Sequence, residues 1–201
     1  MPNRLPADSE GIARAAALLQ AGEIVAFPTD TVYGIGCRAG DPATLDRLFT
    51  AKRRPAERAV PMLIGSLAEA AARGFVVDDR ASALAGRFWP GGLTIVLPSI
   101  EGHTSQAFRV PDHPVALALL AAAGPLSVTS ANRSGEPDTL DADDVAIAFA
   151  DSDEPVATVD GGRVPGGMAS SVLDLTGARP RLLRNGPVSR SELESTIGPI
   201  D

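Results

Sequence analysis

Hydrophobic positions along the chain switch repeatedly between a helical period and short continuous runs. Ile12, Ala15, Ala16 and Leu19 recur at helical spacing, with Ser9 placed to cap the start and Gly22 to end it. Glu23-Ile-Val-Ala-Phe27 is then a short apolar run of buried-strand type, and Pro28 stops it before residues 29–36, which read as a polar loop. Asp41-Pro42 supplies an N-cap and a first-turn proline for a helix through Leu45, Leu48 and Phe49, which delivers Lys52 at its end. A strand is expected over 60–64, a helix capped by Ser66 after it, and another helix over 79–88. Trp89-Pro-Gly-Gly92 reads as a turn, 93–97 and 108–110 as strands, and His113-Pro114 as the opening of a helix carrying Val115, Leu117, Leu119 and Leu120. Residues 126–128 form a buried run leading into the polar stretch 129–135. A helix capped by Asp141 extends to about 150, a strand covers 156–159, and 160–170 is a glycine-rich loop. Two closely spaced strand-like runs, 171–175 and 181–184, precede a terminal helix begun by Ser189.

Strands alternate with helices for most of the length, but the last two strands are close enough to be antiparallel. The expected fold is one α/β domain over residues 1–201, with a twisted mixed parallel and antiparallel sheet and flanking helices. At 201 residues such a domain buries roughly 70% of the surface its unfolded chain exposes, enough for a self-sufficient core. The hydrophobic fraction of 44% and charged fraction of 21% belong to an ordinary globule, which excludes disorder and fibrous repeats. The single cysteine, Cys37, rules out an internal disulfide and is expected to be a small buried hydrophobe. No run approaches the roughly 20 apolar residues of a spanning helix and no leader pattern opens the chain, so a cytoplasmic location without membrane contact is expected. The net charge of −7 argues against coating of nucleic acid by the whole surface.

Chemistry is concentrated in four polar segments beside buried strands: 28–36, 52–58, 129–135 and 161–184. They bring hydroxyls, glycines and several Lys or Arg, with few carboxylates, and ligands collect at strand ends in α/β sheets. Such a lining suits an anionic ligand of the nucleotide kind. Neither GxxxxGK[ST] nor a strand-linked GxGxxG is present, so the two standard phosphate loops do not apply. Taken alone, Lys52-Arg53-Arg54 with Arg58 reads equally as cations solvated near a helix C-terminus. His103 and His113 have no accompanying nucleophile motif.

Seven segments fall in one order: Pro28-Thr-Asp-Thr-Val-Tyr-Gly34, Lys52-Arg-Arg-Pro55, Pro90-Gly-Gly-Leu-Thr94, Arg109-Val-Pro-Asp-His-Pro114, Ser130-Ala-Asn-Arg-Ser-Gly135, Ser170-Ser-Val-Leu-Asp174 and Leu183-Arg-Asn-Gly186. Together they resemble the YrdC/TsaC family of threonylcarbamoyl-AMP synthases over roughly residues 10–187. The resemblance implies a YrdC-like domain with a deep basic cleft, in which threonine, bicarbonate and ATP become threonylcarbamoyl-AMP and pyrophosphate. That product is the precursor of N6-threonylcarbamoyladenosine in tRNA. Carried over onto this sequence, it places Thr31, Arg109 and Ser170 at threonine. Lys52 and Arg54, the two cations of the KxR motif, fall at the phosphates and carbamate as the catalytic pair. Ser130 and Asn132 of the SxN motif and Arg184 fall at ATP, with Arg58 and Ser105 as weaker ATP-side candidates. Mg²⁺ is implied with the nucleotide, no metal site made by the protein is implied, and a downstream threonylcarbamoyl-transferase complex and tRNA are implied partners.

The pattern departs from the family's in two places. Pro55-Ala-Glu-Arg-Ala-Val-Pro61 is longer than the usual NPL or HPL segment, with Gly65 about where a histidine is common, and Pro90-Gly-Gly replaces PGP. Residues 188–201 stand beyond the resemblance as a lid or tail. Two other readings remain open at this point: a module for structured RNA, which the acidic total and few aromatics weaken, and a carbamoyl-adenylate-forming enzyme, which elsewhere works with companion domains.

Overall fold

Periodic segments become helices and short apolar runs become strands, and one face of the resulting sheet is left only partly covered. The computed structural model describes residues 3–53 and 60–201. In chain order the elements are β1 (Asn3–Pro6), α1 (Ser9–Gln20), β2 (Ile24–Pro28), β3 (Tyr33–Arg38), α2 (Pro42–Lys52), β4 (Met62–Leu63), α3 (Leu67–Ala72), α4 (Asp79–Phe88), β5 (Leu93–Pro98) and β6 (Ser105–Arg109). They continue with α5 (Pro114–Ala123), β7 (Leu126–Ser130), α6 (Ala142–Ala148), β8 (Val156–Asp160), β9 (Ser171–Asp174), β10 (Arg181–Arg184) and α7 (Arg190–Ile197). All the strands join one sheet in the order β1-β8-β2-β3-β7-β4-β6-β5-β9-β10. Parallel pairs (β1 and β2 with β8, β4 with β6, β5 with β9) are mixed with antiparallel ones, including the terminal β9–β10 pair.

Local chemistry sets the helix ends. Asp41 accepts from the Ala43 and Thr44 N–H groups ahead of Pro42, and Asp141 accepts from the Asp144 N–H. At α5 the cap is imidazole: His113 Nδ1 accepts from the Val115 N–H at 3.2 Å. Ser189 and Glu192 form a reciprocal capping box on α7. Two expected caps differ. Asp8, not Ser9, caps α1 through the Gly11 N–H, and Ser66 precedes α3 in extended conformation without a side-chain cap bond.

The expected loop over 29–36 is the largest departure, since Tyr33 to Arg38 is a strand paired with both β2 and β7. Tyr33, Ile35 and Cys37 are buried on one face among α2 and α6 side chains, whereas the other face carries Gly34 and Gly36 before the exposed Arg38 at the strand's end. Those glycines leave room for the neighbour: a Cβ on Gly34 would lie 2.8 Å from a Val128 methyl. Alternating large and absent side chains imitates a loop composition while keeping a strand's period of two. Strand β1 has no apolar pattern to announce it, since Leu5 is the one deeply buried side chain among those described in it. The strand expected over 60–64 shrinks to β4, and 129–130, expected as loop, extend β7.

Register decides which face each side chain takes. Ile24, Ala26 and Ile35 pack with α2 and α6, while Ile95, Phe108 and Leu173 pack with α3, α4 and α7 on that same face. The opposite face is covered at the β1–β8–β2 end by α1 and α5, which bury Leu5, Val25, Phe27 and Val159. Beyond α5 this face has no helix over it among the described residues, and its side chains form a cleft floor.

Candidate functional site

The cleft holds about 490 Å³, a size that fits a small substrate. Its floor consists of same-face residues from successive strands: Gly34, Val128, Leu63, Ala107, Val96 and Val172. Apart from Leu63 these are small or β-branched, and the floor is apolar. The polar groups stand at strand ends and in the loops that follow them: Thr29 and Thr31 after β2, Ser130 ending β7, Arg109 ending β6, Thr94 on β5, Ser170 before β9 and Arg184 ending β10. Three of the four polar segments of the sequence, 28–36, 129–135 and 161–184, therefore meet in one place, represented by Thr31, by Ser130, and by Ser170 with Arg184.

Arg109 organises one end. Its Nε–H donates to the Gly91 carbonyl at 2.9 Å, Nη2 to Asp30 Oδ2 at 2.6 Å and Nη1 to Thr31 Oγ1 at 3.4 Å. One buried guanidinium thus ties together the segments beginning at Pro28, Pro90 and Arg109. Burial pushes its pKa down, and the adjacent Asp30 carboxylate opposes that push. Hydroxyl directions follow by counting hydrogens. Thr29 donates its only hydroxyl hydrogen to the Val32 carbonyl at 2.6 Å, so in the 3.1 Å contact between the two threonines Thr31 is the donor. The chain therefore runs from Arg109 to Thr31 to Thr29 to Val32, and these contacts use one of the two acceptor lone pairs of the Thr31 hydroxyl.

Ser170 organises the other end. Its hydroxyl shares a 2.8 Å hydrogen bond with Thr94, and Arg184 donates to its carbonyl at 2.8 Å and its hydroxyl at 3.0 Å. Partial burial lowers the Arg184 pKa first, Arg109 adds like-charge repulsion, and Asp138 at the rim opposes both. Two guanidinium groups that sense each other across a cleft are suited to sharing an anionic ligand.

Lys52 stands behind the cleft rather than in its lining. It is buried to 2% exposure, and its ammonium donates to the carbonyls of Ser130 and Asn132. Ser130 donates to Asn132 Oδ1 at 2.6 Å, while Asn132 Nδ2 donates to the Glu136 carbonyl at 2.5 Å. Arg133 anchors the same loop from the far side, donating to the Ala148 carbonyl at the end of α6 at 2.7 Å and pairing with Asp151. Lys52 and Arg133 thus grip the 130–136 loop from two helix ends.

The structure brings Thr31, Arg109, Ser130, Ser170 and Arg184 into the lining and sets Asn132 beside it through Ser130. Ser105 starts β6, exposed and away from the lining, four residues before Arg109. Arg54 and Arg58 lie outside the described residues. The described lining carries Arg109, Arg184 and Asp138 as its charged members. Sequence reasoning passed over Asp30, Thr29, Thr94 and Asp138. Thr29, Asp30 and Thr94 lay inside quoted motifs, so their proximity to matched residues was the available signal. A larger recess of about 730 Å³ between α1, α6 and β8 is lined by Leu18, Val145, Phe149 and other apolar residues. Its Glu23 and Glu154 are both paired with Arg47, and none of the sequence-predicted residues that the structure describes lines it.

An open mixed sheet, with a hydroxyl- and guanidinium-rimmed cleft on the face that has no helix over it among the described residues, defines a class: α/β proteins with a cleft at converging strand ends. A family model described as telomere recombination, Sua5/YciO/YrdC, matches residues 17–186, and the chain belongs to this family. The threonylcarbamoyl-AMP synthase of Bacillus subtilis is 38% identical over 98% of this chain and 60% of its own length. The putative threonylcarbamoyl-AMP synthase of Mycobacterium tuberculosis is 38% identical over 94% of this chain and 90% of its own. The crystal structure of Pyrococcus abyssi Sua5 complexed with L-threonine superposes with a TM-score of 0.88 at 36% identity, covering 100% of this chain and 62% of that one. The chain therefore spans about 60% of the length of the Bacillus and Pyrococcus relatives.

Proposed function

We propose that this chain makes L-threonylcarbamoyl-AMP from L-threonine, bicarbonate and ATP. The observation that carries the reading is the cleft itself, where Thr31, Arg109 and Ser170 share one lining with Ser130 and Arg184. The threonine complex of the Pyrococcus relative and the names of the curated relatives support it.

In this reading the threonine amine takes up bicarbonate as a carbamate, a carbamate oxygen attacks the α-phosphate of ATP, and pyrophosphate leaves. Two anions must meet, so fixed donors and cations reduce their repulsion while the cleft sets the line of attack. Arg109 takes the threonine carboxylate. Thr31, with an acceptor lone pair left over, accepts from the ligand, and Ser170 supplies a hydroxyl held by Thr94 and Arg184. Ser130, Asn132 and Arg184 take the nucleotide. Lys52 acts through the 130–136 loop, holding its carbonyls and adding positive potential behind it, with Arg54 and Arg58 assigned to the phosphates by the resemblance. Among the described residues no group of three or more His, Cys, Asp or Glu side chains is arranged to hold a metal. Mg²⁺ would arrive on the ATP phosphates, a usual mode for this ion, with Asp138 as the carboxylate of the described lining. The acyl-adenylate product is an activated group for a separate transferase acting on tRNA.

Incubation of the pure protein with ATP, Mg²⁺, bicarbonate and threonine, followed by mass spectrometry, tests the reading. The expected result is threonylcarbamoyl-AMP that carries label from ¹³C-bicarbonate. An adenylate without the label, or no adenylate, would contradict it.

A further inference from the structure

We propose that Asp30 is a positioning and charge-tempering residue: it fixes the Arg109 guanidinium for a ligand carboxylate and keeps unspecific anions from competing for it. The proposal rests on the threonine-binding reading of the cleft and deepens it. Asp30 uses both oxygens. Oδ2 accepts from Arg109 Nη2 at 2.6 Å, and Oδ1 accepts from the Asp112 N–H at 3.1 Å, so the carboxylate spans the loop after β2 and the segment after β6. Its side chain is 17% exposed and that of Arg109 is 9%.

Three of the five guanidinium N–H donors have partners among the described residues, Gly91, Asp30 and Thr31, which leaves two for a ligand. A two-donor fork grips a carboxylate only if it is held in the right plane, and Asp30 with Gly91 holds it there. Asp30 also neutralises much of the Arg109 charge. A buried, unpaired guanidinium in an empty cleft would attract any small anion, whereas a paired one rewards a ligand that fits the remaining donors and Thr31.

Two substitutions separate orientation from charge. Asp30→Asn removes the charge. It is expected to raise the KM for threonine about 10- to 100-fold, keep the KM for ATP within about twofold, and make turnover more sensitive to acetate. Asp30→Glu keeps the charge but displaces the carboxylate, so the KM for threonine should rise without added acetate sensitivity. Equal rises in both KM values, or equal acetate inhibition of wild type and Asp30→Asn, would overturn the proposal. The Arg109 Nε–H resonance in ¹⁵N spectra, assigned by its loss in Arg109→Lys, gives a readout independent of turnover. It should exchange slowly in wild type and be broadened or fast in Asp30→Asn, and identical behaviour would overturn the positioning role. A wild type without threonine-dependent turnover would instead remove the proposed activity, leaving the resonance to decide the role of Asp30.

Discussion

Lys52 and Arg53 are sequence neighbours in opposite environments, and that contrast is testable. Removing the buried Lys52 ammonium leaves the Ser130 and Asn132 carbonyls without their donor, so Lys52→Ala is expected to cost about 1–3 kcal/mol in denaturant unfolding and most of the turnover. Arg53 lies on the surface, its guanidinium reaching an equally exposed Asp151. Arg53→Ala should leave both stability and pyrophosphate release near wild type. Equal damage from the two would mean the cluster acts as a unit. A second residue-scale expectation concerns pH. Burial pushes the His113 pKa below its ordinary 6.5, against the pull of Asp30 and Asp112, and the cap on α5 needs a neutral Nδ1. As pH falls through 6.5 the unfolded chain takes up this proton before the folded one, so stability is full above that pH and declines below it. His113→Asn keeps a capping group and should flatten that slope in thermal melts recorded between pH 7 and about 5. Asp141, held below its ordinary 3.8 chiefly by the Asp144 N–H, loses its contribution only at lower pH.

At the scale of elements, β10 places Arg184 on Ser170, and Gly186 lets the chain cross close behind. A Cβ there would lie 2.2 Å from the Ser171 nitrogen and 2.6 Å from the Ala169 carbonyl oxygen, so the requirement is closeness rather than an unusual backbone angle. Gly186→Ala is expected to cost about 1–3 kcal/mol in unfolding experiments and to weaken ATP binding more than loss of stability explains, because Arg184 is displaced. Preserved affinity in that variant would detach β10 from the nucleotide site. Most of these elements were legible in the sequence. The runs read at 23–27 and 93–97 became β2 and β5, and Asp41-Pro42, His113-Pro114 and Ser189 marked true helix starts. Strand β3 was not, because its period is carried by glycines whose reason lies in Val128 of another strand. The site was legible where a segment bore a motif. The role of Asp30 was hidden because it depends on Arg109, 79 residues away in sequence. The placement of Lys52 behind the cleft depends likewise on loop carbonyls that no side-chain pattern announces.

For the molecule as a whole, the sheet has helices across one face and over one end of the other, and the remaining floor is where ligands can meet. No helix among the described residues is long and apolar enough to cross a membrane. Family membership and the mixed-sheet fold agree with the resemblance read from seven collinear segments. The cleft's apolar floor beside Thr31 also bears on selectivity. A fitted methyl pocket is worth roughly 1–3 kcal/mol, so serine should be used about 10- to 100-fold less efficiently than threonine. Equal kcat/KM for the two would argue against a fitted pocket. The central claim, that one cleft joins an amino-acid carbamate to a nucleotide, is tested most directly by pyrophosphate release from ATP with threonine and bicarbonate omitted singly and together. The account predicts release only when both are present. Release that persists without threonine, or without bicarbonate in carbonate-free buffer, would contradict it.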